Sequence, residues 1–359
     1  MSQSDLILGI ETSCDETSAA VVAGGRRVAS SVVAGQIELH ARFGGVVPEI
    51  ASRAHLEAIN TVIEQALARA GVGRADLSAV AVVNSPGLIG SLLVGVMAAK
   101  TLSWAWGLPL VAVHHVHAHA YSPALDGEEI EYPACALVAS GGHTSLYRAR
   151  SPLELELLGT TLDDAAGEAF DKVAAILRLG FPGGPALDKA ARGGNPQAVR
   201  FPRPLLHGQS LDFSFSGIKT AVLYHVHGVP GAVRPKKGTG YFSRRGKSSL
   251  SPFSASTQAI ADIAASFQAA VVDVLRIKLR RAAQLTGAKS LIVGGGVAAN
   301  SALRAACEEL AGKLRCTLRL PQLKYCGDNA AMVAGLGWHY LRAGVHADLN
   351  LEAFPTAKR

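Results

Sequence analysis

Residues 133–149 read PACALVASGGHTSLYRA: a run of small apolar residues, a turn of Ser and Gly, then a second strand-like run. The same order occurs near the start of the chain, where LILGIE (6–11) and SAAVVA (18–23) flank the polar turn TSCDET. Short apolar runs bounded by turn residues indicate paired strands. Two such hairpins, about one lobe-length apart, predict a duplicated α/β fold with its ligand in the cleft between the halves. Length agrees, because 359 residues exceed what a single core holds comfortably.

Strand and helix alternate between the hairpins, as expected for α/β layers with a parallel component. A helix is predicted at Pro48–Ala70, with Pro at its first position and an apolar face through Ile50, Leu56, Ile59, Ile63 and Leu67. The strand AVAVVN (79–84), a helix ending near Trp106 and the strand PLVAVH (109–114) follow. The second half continues with an acidic helix at Asp163–Leu177, a turn PGGP (182–185) and an amphipathic helix at about Gln258–Thr286. After these come a strand SLIVGGG (290–296) and a helix starting near Asn300. The expected lobes are 1–113 plus 328–359 and 114–327. Residues 225–256 interrupt the second lobe with a Gly/Ser/Pro-rich segment holding Arg234, Lys236, Lys237, Arg244, Arg245 and Lys247. It admits two readings, a solvated loop or a basic arm on a phosphate backbone.

Composition narrows the class. Hydrophobic residues make up 49% and charged ones 18%, which describes a globular chain and not a disordered one. The formal charge of +7 and pI near 9.2 favour a polyanionic partner. Five scattered cysteines without a CxxC pair exclude a disulfide framework and a zinc ribbon, and fit a reducing compartment. The start MSQSDLILGIETSCDETS lacks a signal-peptide pattern, and the longest apolar run, Leu88–Ala99, ends at Lys100, too short to span a bilayer. The expectation is a cytoplasmic protein with no membrane partner.

HHVHAH (114–119) supplies the first chemistry. On a helix His115 and His119 stand at i and i+4 and share a face, while His117 points elsewhere. Two imidazoles begin a metal site but need a third ligand; the alternative is a pair of cleft histidines satisfied by hydrogen bonds. The HExxH of a zincin protease is absent. SGGHTS (140–145) lets backbone N–H groups approach an anion but is not a P-loop. GGGVAANS (294–301) matches GxGxxA between strand and helix, yet the following strand ends without an acidic residue for a ribose. Asp15 and Glu16 sit in a hairpin turn expected at the cleft. Asp164, Glu168 and Asp171 recur at helical spacing, with Lys172 set to pair with Glu168. Asp328 precedes a helix, where N-capping is the default role.

In this order, GIETSCDETSAAVV, ARFGGVVPEIASRAHLEAI, HHVHAH, VASGGHTSLY, DDAAGEAFDKVA, FPGGPALDKAA, DFSFSGIKTAV, GGGVAANSALR and CGDNAAM together closely resemble the TsaD family, also called Gcp or Kae-type. Its members are the threonylcarbamoyltransferases of tRNA modification. The likeness covers almost the whole chain except 225–256 and the last dozen residues. It implies the duplicated, two-lobed actin-like (sugar-kinase-like) ATPase fold. It also implies a reaction: threonylcarbamoyl-AMP donates its threonylcarbamoyl group to the N6 amine of the adenosine 3′ of the anticodon, position 37, in tRNAs reading codons that begin with A, and AMP leaves. By the same resemblance His115, His119 and Asp328 hold one divalent metal ion, with Fe(II) favoured over Zn(II) or Mg(II). Ala139, Ser140, Gly141, Gly142, His143, Asp171, Gly184, Asp188 and Asn300 contact the adenylate, and Asp15 and Glu16 are candidates for taking the amine proton. The implied partners are tRNA, a TsaB-like paralogue and a TsaE-like ATPase, with a TsaC-type enzyme supplying the adenylate. Helices at 48–70 and 88–106 are candidate surfaces for the paralogue.

His117 stands where bacterial relatives often carry glutamate, and the basic insertion has no counterpart in the family core. Three rival readings are weighed against the resemblance: an ATP-dependent phosphotransferase or ATPase of the same fold, a metalloprotease, and a scaffold without catalysis.

Overall fold

The computed structural model describes residues 5–206, 208–228 and 256–356. The chain forms two five-stranded sheets of identical plan. In the first, β1 (Leu6–Glu11), β2 (Glu16–Ala23) and β3 (Arg27–Gly35) make an antiparallel meander, and β4 (Leu77–Ser85) and β5 (Leu110–His114) add in parallel, giving the order β3-β2-β1-β4-β5. The second repeats this with β6 (Ala134–Ala139), β7 (Thr144–Ser151), β8 (Glu154–Thr160), β9 (Ser290–Gly294) and β10 (Thr317–Arg319), in the order β10-β9-β6-β7-β8. The duplication expected from the two hairpins is present strand for strand.

Period-two alternation sorts each central strand between two cores. On β6, Cys135, Leu137 and Ala139 face the outer helices of the second half, whereas Ala134, Ala136 and Val138 face a core shared with the first sheet. On β4, Ala79, Ala81 and Val83 join the shared core, and Val80 and Val82 pack outward. Burial on both faces explains why these strands read as unbroken apolar runs.

The first sheet is covered on its outer face by α2 (Pro48–Ala70) and α3 (Ile89–Trp106), after the short α1 (Ile37–Ala41). The shared core contains α4 (His115–Tyr121) and α10 (Ala330–Arg342), which lie between the two sheets. Gly9 permits this, because a Cβ there would stand 2.3 Å from the carbonyl oxygen of Ala330. The second sheet carries α5 (Ala166–Ile176), α6 (Gly183–Ala191), α7 (Ser216–His227), α8 (Thr257–Thr286) and α9 (Ser301–Leu314). Phe267 of α8 is fully buried and meets Phe170 of α5 edge-to-face at 5.3 Å, an arrangement that adds about 1 kcal/mol beyond area burial.

Several boundaries differ from the sequence reading. Glu16 opens β2 instead of sitting in the turn. On α2, Leu56 is exposed and the polar His55 is buried. The acidic helix starts at Ala166, so Asp164 lies ahead of it and pairs with Lys172 and Lys219; the Glu168–Lys172 pair forms as expected at 2.7 Å. PGGP is the first turn of α6 and not a free turn. Asn329, not Asp328, caps α10. Residues 225–227 complete α7, and the basic residues 234–247 lie outside the described residues. The apolar run at 88–99 continues to Trp106, which makes α3, by length and composition, long and apolar enough to cross a membrane; its Ser91, Leu92, Gly95, Val96, Ala99 and Ser103 are buried in the first half. None of the five cysteines is disulfide-bonded.

Candidate metal centre and adenylate cleft

α4 begins where β5 ends, so the first helical residue, His115, stands at the carboxyl end of the first sheet. One turn later His119 falls beside it, with the two rings edge-to-face at 4.6 Å. From the far end of the chain, Asp328 enters just before α10. His119 Nε2 is 3.0 Å and His115 Nε2 3.7 Å from its Oδ1. One ligand atom from each of the three residues falls within 4.8 Å of the others. His119 Nδ1 is buried without a hydrogen-bond partner among the described residues. Two imidazoles and a carboxylate, with a buried nitrogen unsatisfied among the described residues, fit a single divalent ion.

Electrostatics agree with a cation at this point. Burial works against charge on the His115 ring, but Asp328 and Glu11 outweigh it and hold the pKa near 9. Burial likewise opposes charge on Asp328, yet His115 and His119 keep its carboxyl well below the ordinary range. His143, from the β6–β7 turn, approaches to 6.2 Å between ring centroids; its pKa falls to about 4 through burial and the neighbouring imidazoles. His117 is turned away, stacked on His114 at 4.1 Å and edge-on to Tyr147 at 5.6 Å.

The TSCDE turn lies beside this cluster, with Ser13 Oγ 3.1 Å from His115 Nδ1. Burial first, then the charges of Asp328 and Asp15, push the Glu16 carboxyl up to about 10. The turn is clamped from behind by His55 of α2, whose ring bridges Thr17 Oγ1 at 2.8 Å and the Cys14 carbonyl at 3.0 Å. Ser91 of α3 reaches the same carbonyl at 3.4 Å.

The remaining candidate residues belong to the second half. Between β6 and β7 the Ser140 N–H donates to the His143 carbonyl at 2.7 Å, closing a turn in which Gly141 and Gly142 are exposed with open space above them. Ala139 ends β6 fully buried. Asp171 on α5 accepts the N–H groups of Gly183 and Gly184, which ties α5 to the start of α6. Gly183 is required there, since a Cβ would stand 2.5 Å from the Asp171 Cα. Asn300 caps α9 through its Oδ1 on the Leu303 N–H, and its Nδ2 donates to Gln268 Oε1 at 2.8 Å and Asp188 Oδ1 at 3.3 Å. Asp188 Oδ1 also accepts from Ser301 Oγ at 2.7 Å. Asn300 and Asp188 thus form one buried network.

Sequence reasoning missed Glu11, His55 and Gln268. For Glu11 the signal was a carboxylate at the end of a strand with no other polar side chain. Gln268 gave none beyond a polar residue on the buried face of α8.

Two like sheets closing on a shared helical core define a two-lobed α/β protein of the actin-like ATPase fold. A solved structure titled as the Acidaminococcus fermentans (R)-2-hydroxyglutaryl-CoA dehydratase component A has this fold, with a TM-score of 0.50 at 14% identity over 95% of this chain and all of that one. The family model described as TsaD, tRNA N6-adenosine threonylcarbamoyltransferase, matches residues 27–335. Curated relatives of that name from Trichlorobacter lovleyi and Symbiobacterium thermophilum are each 50% identical, covering 98% of this chain and 96% of their own. The chain belongs to the TsaD family.

Proposed function

We propose that this protein transfers the threonylcarbamoyl group of threonylcarbamoyl-AMP to N6 of adenosine 37 in tRNAs reading codons that begin with A. The observation that carries this reading is the near-full-length match to transferases of that name. The adenosine amine attacks the carbamoyl carbon, a C–N bond forms, the bond to the phosphate oxygen breaks, and AMP leaves with the electron pair. The mixed anhydride is already activated, so most of the acceleration is asked of positioning.

The SGGH turn, the start of α6 and the Asp188–Asn300 network form a wall against which the adenylate lies. Asp171 acts there by holding the Gly183–Gly184 backbone in place. Asp15 and Glu16 are the carboxylates that assist in taking the proton from the attacking amine. His115, His119 and Asp328 hold the divalent ion, Fe(II) in preference to Zn(II) or Mg(II), which when bound supplies electrophilic stabilisation of oxygens that gain charge.

A groove of about 620 Å³ between α2 and α3 is lined by Ile59, Ile63, Leu93, Met97 and Trp106. It is the surface we assign to the TsaB-like paralogue, and the TsaE-like ATPase and TsaC-type enzyme complete the system. The lobe boundaries we propose are 1–113 plus 328–359 and 114–327.

The test is incorporation of radiolabelled threonine into unmodified tRNA in a reconstituted system, comparing the native chain with a His115→Ala, His119→Ala double variant. Incorporation by the native chain alone supports the reading. No incorporation by the native chain, with adenylate supply and partners demonstrated, overturns it in favour of an ATP-dependent phosphotransferase.

A further inference from the structure

Glu11 ends β1 as a carboxylate with no solvent exposure, pointing from the first sheet toward α4. A carboxylate in such a place is costly unless donors surround it. Its Oε1 accepts the Ser13 backbone N–H, and its Oε2 lies 3.1 Å from His115 Nδ1. Ser13 Oγ stands 3.1 Å from the same nitrogen. The other ring nitrogen of His115, Nε2, is the one that faces Asp328. A neutral imidazole that donates from Nδ1 to a carboxylate carries its lone pair on Nε2, so a metal ion that displaces the Nε2 proton of His115 meets that lone pair.

We propose that Glu11 is a positioning residue for the metal centre. It fixes the tautomer and ring angle of His115, so that Nε2 presents its lone pair to the space shared with His119 and Asp328. It also supplies, one residue removed from the ion, a second buried negative charge beside that of Asp328, so that with neutral imidazoles the pair of carboxylates balances a divalent cation. His119 has no equivalent support, because its Nδ1 is unpartnered among the described residues. His115 is therefore the pre-oriented ligand of the two. Through the Ser13 N–H, the same carboxylate ties the start of the TSCDE turn to the metal ligand, so the two sides of the reaction centre share one anchor.

This inference rests on the metal reading of His115, His119 and Asp328, and the experiment separates the two. The full-length metal-free protein is titrated with Zn(II) against a competing chelator, and the Co(II) absorption spectrum is recorded, for the native chain, Glu11→Gln and Glu11→Asp. Thermal melting of each metal-free form reports folding independently. Glu11→Gln keeps shape and an acceptor oxygen but loses the charge; the expected result is Zn(II) affinity weakened about 10- to 100-fold, with an altered Co(II) spectrum. Glu11→Asp keeps the charge but retracts the oxygen from Nδ1, and is expected to fall between the native chain and Glu11→Gln. A folded Glu11→Gln that binds Zn(II) as the native chain does overturns the proposal, since a purely structural role would move only the melting temperature. If Glu11→Gln does not fold, native-like affinity and spectrum in Glu11→Asp overturn it instead. Failure of the native chain to bind Zn(II) or Co(II) overturns the metal reading, and this inference with it.

Discussion

His339 on α10 makes acid sensitivity calculable. Its Nε2 lies 2.9 Å from the Tyr121 hydroxyl, which itself donates to the Gly25 carbonyl at 3.0 Å, and its ring meets those of Tyr121 and Trp338 edge-on. With the hydroxyl proton spent on Gly25, His339 donates from Nε2, and a second proton has to enter a half-buried ring. Burial lowers its pKa to about 4, against about 6.5 in an unfolded chain. The unfolded state therefore takes up the proton first. Stability from this residue is intact above about pH 6.5 and is lost as pH falls toward 4. At about 1.4 kcal/mol per pKa unit, the loss is about 2 kcal/mol between pH 7 and pH 5, approaching about 3 kcal/mol below pH 4. His114 and His143 are also depressed and add to the same trend, so the native chain alone does not isolate the effect. His339→Gln keeps an N–H donor for Tyr121 and cannot titrate. Urea unfolding of both chains at pH 7 and pH 5, followed by fluorescence and circular dichroism with coincident transitions, gives the double difference directly. The stability gap between native and variant should shift by about 2 kcal/mol in favour of the variant at pH 5. A gap that does not change with pH refutes the assignment of a depressed pKa to His339.

Met97 is 54% exposed on the α2–α3 groove, so Met97→Glu should leave the unfolding midpoint of the isolated chain nearly unchanged while abolishing co-elution with the TsaB-like paralogue on size exclusion. Gly183→Ala pushes a methyl into the backbone at Asp171 and should cost about 1–3 kcal/mol in urea unfolding, as α6 is forced away from α5.

The strands of the two hairpins and the His115–His119 face were legible because each rests on a short-range period, two for strands and 3.6 for a helix. Both hairpins, α2 and the i, i+4 pair follow from residues that are neighbours in sequence. The errors fall where a distant residue supplies what the local pattern lacks. PGGP looks like a free turn until Asp171, 12 positions earlier, accepts the Gly183 N–H. Asp164 looks helical until Lys219 draws it to α7. Asp328 looks like a cap because its partners, His115 and His119, lie more than 200 positions away, and the adjacent Asn329 takes the cap instead. His55 violates the apolar face of α2 because the TSCDE turn needs a donor and an acceptor that an aliphatic side chain cannot give. Glu11 belonged to a quoted motif, yet nothing in its neighbours revealed that its oxygen would meet a ring 104 positions on.

The separation of 209 residues between His119 and Asp328 also has a meaning in time. During synthesis at about 5–20 residues per second, the histidine pair is made roughly 10–40 s before the aspartate. Throughout that interval the nascent chain carries a two-imidazole stub with no carboxylate to complete it. On the metal reading proposed above, the ligand set is complete only once residue 328 has been made, so a chain truncated before it lacks the carboxylate.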